Sequence, residues 1–360
     1  MNRPQDSASG NNDRRPLTGP VSRLGEFGLI EYLTSDIRLR NPSTLLGVGD
    51  DAAVLDYERR RVLVSTDMLV EGVHFDLSYM PLKHLGYKTA VVNFSDIYAM
   101  NGMAEQFFLD IAVSNRFSLE AIDELMSGVK KACDYYGVDL AGGDTTSSLR
   151  GLQMAGTAVG GVTPGREVKR SGARPNDLLV VTGDLGAAYM GLQVLRREKE
   201  VFLANPRHQP DLEPYAYVVE RQLKPEARKE VVEWLARHDV LPTAMIDISD
   251  GLSSEVMHLS KASGCGVWVY EDKIPIDPQT VSVAEEFRLN PLIAALNGGE
   301  DYELLFAVAQ KDYDKIKDVP GLSIIGHFTE DPGAFLITNR NEKIPLKAQG
   351  WNAFHREEDE

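Results

Sequence analysis

Cysteine is nearly absent from this chain: two among 360 residues, Cys133 and Cys265, far apart and in no C-x-x-C arrangement. A zinc knuckle, a redox dithiol and a disulfide-stapled module are excluded, and a reducing, cytoplasmic setting is expected. Long apolar runs are missing as well, none reaching the ~18 residues that span a bilayer. The opening MNRPQDSASGNNDRRPLTGP has no apolar signal core, and residues 1–20 read as a disordered leader. Positive charge is in deficit: Lys+Arg 38 against Asp+Glu 54 gives a net charge of −16. Such a field repels nucleic acid and anionic membranes, so neither is an expected partner. A phosphate ligand is compatible with it only if divalent cations stand between phosphate and carboxylates. No Gly-Lys pair occurs, which removes the P-loop; H-E-x-x-H is absent too, and DISDGLSSEVMH lacks EF-hand spacing.

What remains is an ordinary globular composition, 43% hydrophobic and 26% charged, long enough for two domains. GEFGLIEYLTSDI carries helical spacing, and LLGVGDDAAVL and RVLVSTDMLV read as β segments. Residues 81–101 start at a proline and continue as an apolar helix with Ala90, Val91, Phe94, Ile97 and Tyr98 on one face. FFLDIAVS is a predicted strand, SLEAIDELMSGVKKACDYY a helix capped by Ser118, VDLAGGDTT a strand entering a glycine turn, and QMAGTAVGGV a strand. Pro, Gly and mixed charge cluster in TPGREVKRSGARPND, which places a boundary between domains 21–162 and 163–355, with an acidic tail at 356–360. Beyond it DLLVVTGD, AMID, GVWVYEDKIP, EDYELLFAVAQ, LSIIGHF and AFLITN are predicted strands with helices between them. The expected class is α/β (α+β), mixed sheets packed with helices.

Gly47-Val48-Gly49-Asp50-Asp51-Ala52 formally matches the dinucleotide fingerprint G-x-G-x-x-A, yet two carboxylates sit where a pyrophosphate would lie, and the match is rejected. The informative pattern is aspartate at strand ends or beside glycine: Asp50, Asp51, Asp67, Asp96, Asp144, Asp247, Asp250 and Asp301. One such aspartate is an ordinary turn residue. Asp67 ending an apolar strand, Asp96 inside an apolar helix and Asp247 after Ala-Met-Ile are different, because unpaired carboxylates there cost several kcal/mol in desolvation. With Ser65, Thr66, Ser95 and Ser249 nearby and no partner cysteine, the donors suit several Mg²⁺ ions in one cleft. Gly142-Gly143 and Gly298-Gly299 would let the backbone approach a ligand, and Arg170 is a candidate bidentate phosphate contact.

Read in order, GEF, GVGDDAAVL, STDMLVEGVHF, YKTAVVNFSDIYAMNG, GGDTT, GREVKRSGARPND, VTGDLG, IDISDGL and GGEDYELLF resemble the thiamine-monophosphate kinase family over about residues 24–354. That family lies in the aminoimidazole ribonucleotide synthetase-like superfamily. The resemblance implies its two-domain fold, a homodimer formed through the N-terminal domain, and transfer of the ATP γ-phosphoryl group to thiamine monophosphate. It also implies magnesium ligands at Asp51, Ser65, Thr66, Asp67, Asp96, Asp144, Asp247 and Asp250, of which Asp96, Asp144 and Asp247 carry the catalysis, with Asp50 adjacent. Nucleotide contacts fall on Gly143, Asp144, Arg170 and Ser249, and substrate contacts on His74, Glu300 and Trp351. The rivals within the superfamily are selenophosphate synthesis, aminoimidazole ribonucleotide synthesis and hydrogenase maturation; the first uses a reactive cysteine or selenocysteine near the N-terminus and the third a C-terminal cysteine, whereas both cysteines here are mid-chain. A non-catalytic nucleotide or metal sensor is the alternative from another class.

Overall fold

The computed structural model describes Leu29, residues 32–46, Val48, 54–207 and 209–348. The expected leader and acidic tail, and with them Asp50, Asp51 and Trp351, lie outside the described residues. Alternating apolar and polar residues in RVLVSTDMLV produce β3 (Arg61–Val70), preceded by the short antiparallel pair β1 (Thr44–Leu46) and β2 (Val54–Leu55). Helix α1 (Leu82–Ala99), β4 (Met103–Val113), α2 (Leu119–Tyr136), β5 (Asp139–Ser147) and β6 (Gln153–Val162) follow. Helix α2 begins as its sequence predicts, the Ser118 hydroxyl accepting the Ala121 N–H at 3.3 Å, and Gly137 closes it at φ 71°. The sheet order is β3-β6-β4-β5, antiparallel except for the parallel β4–β5 pair.

Two sequence expectations are corrected here. Gly142 and Gly143 are not in a turn but inside β5, where Gly143 has φ 146° and a Cβ would stand 1.9 Å from the Leu109 carbonyl oxygen. Helix α1 is not one-faced: fourteen of its eighteen residues are buried. It lies on the inner face of the four-stranded sheet, Phe94 meeting Phe107 edge-on at 5.4 Å, and against α2 and the second half of the chain. The α1–α2 crossing is close because Gly128 and Gly86 face backbone; a Cβ on Gly128 would lie 1.9 Å from the Lys83 carbonyl oxygen.

The second half contains β7 (Leu178–Thr182), α3 (Ala187–Ala204), α4 (Ala216–Leu223), α5 (Lys229–Arg237), β8 (Ala244–Asp247), α6 (Leu252–Ser263) and β9 (Gly266–Tyr270). Then come α7 (Pro278–Glu286), α8 (Pro291–Asn297), β10 (Leu304–Val308), the one-turn α9 (Tyr313–Ile316), β11 (Leu322–Thr329), β12 (Ala334–Ile337) and β13 (Lys343–Pro345). The sheet order is β13-β12-β9-β11-β7-β10-β8, with β9–β12 its parallel pair. LLVVT (β7) and LLFAV (β10) are interior strands toward the β8 edge and are buried on both faces. Val180 and Phe306 join a core shared with α3, α4 and α5, while Leu179, Val181 and Leu305 join another with α6. Among the described residues no helix is long and apolar enough to cross a membrane. Both cysteines are buried free thiols, and the Cys265 Sγ donates to the Ala173 carbonyl oxygen at 3.6 Å.

Candidate active site

Helix α1 meets β8 where the halves dock, and a cleft of about 570 Å³ opens there. The end of β3, the segment 71–80, α1, α3, the β8–α6 connection and the α8–β10 loop all contribute to its walls. One end is acidic: Asp67 from β3, Asp96 from α1, Asp247 from β8 and Asp250 just beyond it. Alternation along β3 turns Ser65 and Asp67 toward α1, where the Ser65 hydroxyl donates to Asp96 and the Asn93 side-chain oxygen accepts the Asp67 N–H at 3.0 Å. Ser95 donates to Asp247 across the two halves at 2.6 Å.

No lysine or arginine pairs with Asp67, Asp96 or Asp247 among the described residues. Burial, with the neighbouring Asp96 charge, pushes the Asp247 carboxyl up to about 7. Asp67 is raised to about 6 for the same two reasons. Asp250 is raised by burial, with His258 and Arg170 opposing. Glu255, which the sequence reading missed, lies behind Asp250; its Oε1 accepts the Asp250 N–H at 3.2 Å, and its buried Oε2 has no partner among the described residues. Burial raises it to about 8.

The rest of the lining mixes the aromatic and apolar side chains Phe75, Tyr79, Met80, Tyr189 and Leu192 with the charged Asp76, Arg196, Lys199 and Glu200, and the Lys199 Nζ lies 5.9 Å from the Tyr79 ring centroid. His74 and Glu300 also line the cleft, together with Ser249. The His74 Nδ1 accepts the Val70 N–H at 3.1 Å, and burial lowers its pKa. The α8–β10 loop carries Glu300 in the left-handed region at φ 60°, its N–H bonded to the Ser249 carbonyl at 2.7 Å. Gly298 and Gly299 serve close packing within the protein: a Cβ on Gly299 would stand 2.5 Å from the Ser249 carbonyl oxygen.

The predicted ligands do not all converge in one chain. Ser65, Asp67, Asp96, Asp247 and Asp250 border the acidic end, but Thr66 and Asp144 point from the opposite face of the four-stranded sheet. Thr66 bonds the Gly156 carbonyl at 2.8 Å and receives the Thr157 hydroxyl at 3.1 Å. Asp144 is exposed in the row Met68–Ala155–Asp110–Asp144, with Gly143 beside it, three strands from β3. Arg170 is exposed and acts on Asp250 from outside the cleft. Among the described residues no three His, Cys, Asp or Glu side chains form a ready-made metal site. The donor chemistry nevertheless fits a hard cation: clustered carboxylates, of which Asp67 and Asp247 are raised by burial and by the Asp96 charge, two hydroxyls and, among the described residues, no compensating base. Lys88 and Gln222, also missed, border the same cleft. A lone lysine in the apolar run Leu85–Phe94 was the available signal for the first.

Comparison with known proteins matches residues 49–162 to the AIR synthase related protein N-terminal domain and residues 174–339 to the corresponding C-terminal domain. The thiamine-monophosphate kinase of Aquifex aeolicus is 31% identical over 335 residues, covering 93% of this chain and 99% of that protein. The chain belongs to the thiamine-monophosphate kinase family. Its resemblance to solved structures agrees with this: AaThiL complexed with AMPPCP and TMP superposes with a TM-score of 0.72 at 30% identity, over 93% of this chain and 99% of that one. The hydrogenase maturation protein HypE of Escherichia coli, at 19% identity and a TM-score of 0.71 over 90% of this chain and 98% of that one, shares the fold. Family membership thus accounts for the paired sheets and the cleft between them.

Proposed function

We propose that this enzyme transfers the γ-phosphoryl group of ATP to thiamine monophosphate, giving thiamine diphosphate and ADP. The observation that carries the reading is full-length similarity to AaThiL, whose structure is titled as a complex with AMPPCP and TMP, the latter read as thiamine monophosphate. The cleft suits that pair of ligands. Its aromatic side chains Phe75 and Tyr189 suit a flat cationic heteroaromatic, and its acidic end suits phosphates approached through cations. ATP dependence and two buried thiols also support the cytoplasm as its compartment.

Ser65, Asp67, Asp96, Asp247 and Asp250 would hold Mg²⁺ here, and Asp51 joins them by family resemblance. Bound magnesium supplies charge neutralisation for two anions brought together and for the transferring group. The protein's own part is positional. A phosphate monoester has a second pKa near ~6, so the acceptor is already a nucleophilic dianion at neutral pH and the carboxylates serve as ligands rather than bases. Segment 71–80 and α3 wall the cleft and limit water, the competing acceptor. Direct in-line transfer predicts inversion at a chirally labelled γ-phosphorus.

We further read the enzyme as a homodimer whose second copy completes the site. Asp144 and Gly143 cannot reach Asp67 within one chain, and the face that carries Asp144 also exposes Val62, Val64 and Met68 by 49%, 65% and 60%. Adjacent apolar residues on an uncovered sheet face are the usual mark of an interface. Sedimentation of wild type and Val64→Lys tests this: the expected result is a dimer that the variant converts to monomer with loss of turnover.

The direct test incubates purified protein with ATP, Mg²⁺ and thiamine monophosphate, or with free thiamine, and separates the products by chromatography. Diphosphate is expected from the monophosphate alone and should disappear on chelation. ATP binding without product from any thiamine phosphate would instead favour a sensor.

A further inference from the structure

Lys88 lies on α1 with a side chain only 2% exposed. Burying an ammonium without partners costs several kcal/mol, so its contacts define its role. Its Nζ donates to Glu300 Oε2 at 2.9 Å and to the Gln222 carbonyl oxygen at 3.2 Å. The Gln222 side-chain amide donates to the same Glu300 oxygen at 2.7 Å. One carboxylate oxygen is thereby held by a cation and an amide together.

The other oxygen is treated differently. Glu300 Oε1 has no hydrogen bond among the described residues, while the side chain stays 33% exposed and lines the cleft. The Ser249 bond fixes the backbone beneath it, and the Lys88 and Gln222 contacts on Oε2 restrain the carboxylate itself. An anion anchored through one oxygen and open at the other is a directional acceptor for a donor in the cleft. The anchor also joins the halves of the molecule. Lys88 comes from the helix of the four-stranded half, and Gln222 and Glu300 come from the seven-stranded half. Docking of the two therefore sets the direction in which Glu300 accepts.

We propose that Lys88, aided by Gln222, is a positioning residue of the acceptor pocket, aiming Glu300 Oε1 at the amino group of the substrate's aminopyrimidine ring. The inference rests on the reading of this cleft as the thiamine monophosphate site. Among the described residues the Lys88 Nζ bonds Glu300 and the Gln222 carbonyl and no carboxylate of the acidic end. Its loss is therefore a loss of acceptor recognition.

The test compares wild type, Lys88→Met and Lys88→Arg with thiamine monophosphate and with its analogue in which oxygen replaces the pyrimidine amino group. For Lys88→Met the KM for thiamine monophosphate should rise about ten- to a hundredfold, with kcat and the KM for ATP within about threefold of wild type. Discrimination between the two acceptors should collapse in that variant, and Lys88→Arg should restore most of it. Should Lys88→Met not fold, Gln222→Met carries the same comparison with the same expected direction. Equal rises in both KM values, or discrimination that survives the substitution, would overturn the positioning role while leaving the kinase reading intact. A wild type that makes no diphosphate would overturn both.

Discussion

Two of the carboxylates that the molecule buries, Glu303 and Asp247, are handled in opposite ways. Glu303, fully buried just before β10, the strand next to the β8 edge of the seven-stranded sheet, is surrounded by compensation: Arg221 at 3.0 Å, the Arg228 guanidinium, and the Thr182 hydroxyl. The two guanidinium groups hold its carboxyl below the usual range despite complete burial. Asp247, 5% exposed on the neighbouring strand, has one serine hydroxyl and two aspartates for company. Its pKa moves the other way, to about 7. The same functional group, a few residues apart across the β8–β10 pair, is structural where arginine neutralises it and is left in need of a ligand where nothing does.

Substitutions that keep shape and remove charge should separate the two. Asp96→Asn strikes the uncompensated group: kcat/KM for diphosphate formation should fall about a thousandfold, roughly 4 kcal/mol, while thermal stability stays level or rises because repulsion is relieved. Steady-state kinetics and a melting curve on one preparation check both halves of that statement, and a destabilised, active variant would break the contrast. Glu303→Gln strikes the compensated group and should cost about 3 kcal/mol of stability, since two guanidinium groups lose their counter-charge. Urea titration reads it. The pH dependence follows from the sign of the shift. A carboxyl depressed in the folded state contributes stability above its ordinary unfolded value, and loses it as pH falls through the folded one. Wild type should therefore lose its advantage over Glu303→Gln as the medium is acidified below the ordinary glutamate range.

How much of this was legible in sequence depends on whether a residue's local setting was odd. Asp67, Asp96 and Asp247 stood out because acids in apolar strands and helices demand compensation. Helix α2 was equally plain, from the Ser118 cap to its amphipathic face. The side of the sheet on which Asp144 lies was not readable, because side chains alternate with a period of two and bulges interrupt both pairings of β4. Such shifts become visible only once the strands are paired. Gln222 was invisible for another reason: in a helix of mixed character it reads as an ordinary polar residue, and only packing shows that it serves Glu300. The compensating ring around Glu303 was hidden likewise, since Arg221 and Arg228 are remote in sequence from the carboxylate they neutralise.

The gentlest way to sharpen the contrast leaves the chain unchanged and adds metal. A cation that binds only the folded protein raises its stability by mass action, by about 2.7 kcal/mol at a hundredfold excess over Kd. Unfolding of wild type should accordingly shift upward with Mg²⁺. Asp96→Asn should lose most of the shift because a charge has left the donor set, whereas Glu303→Gln should keep it from a lower starting point. The readout is stability rather than turnover, so it asks about the carboxylates alone, independently of either substrate. An equal magnesium response in all three proteins would mean that cations act on the general negative charge of the surface, and the two buried clusters would no longer be distinguished by what they await.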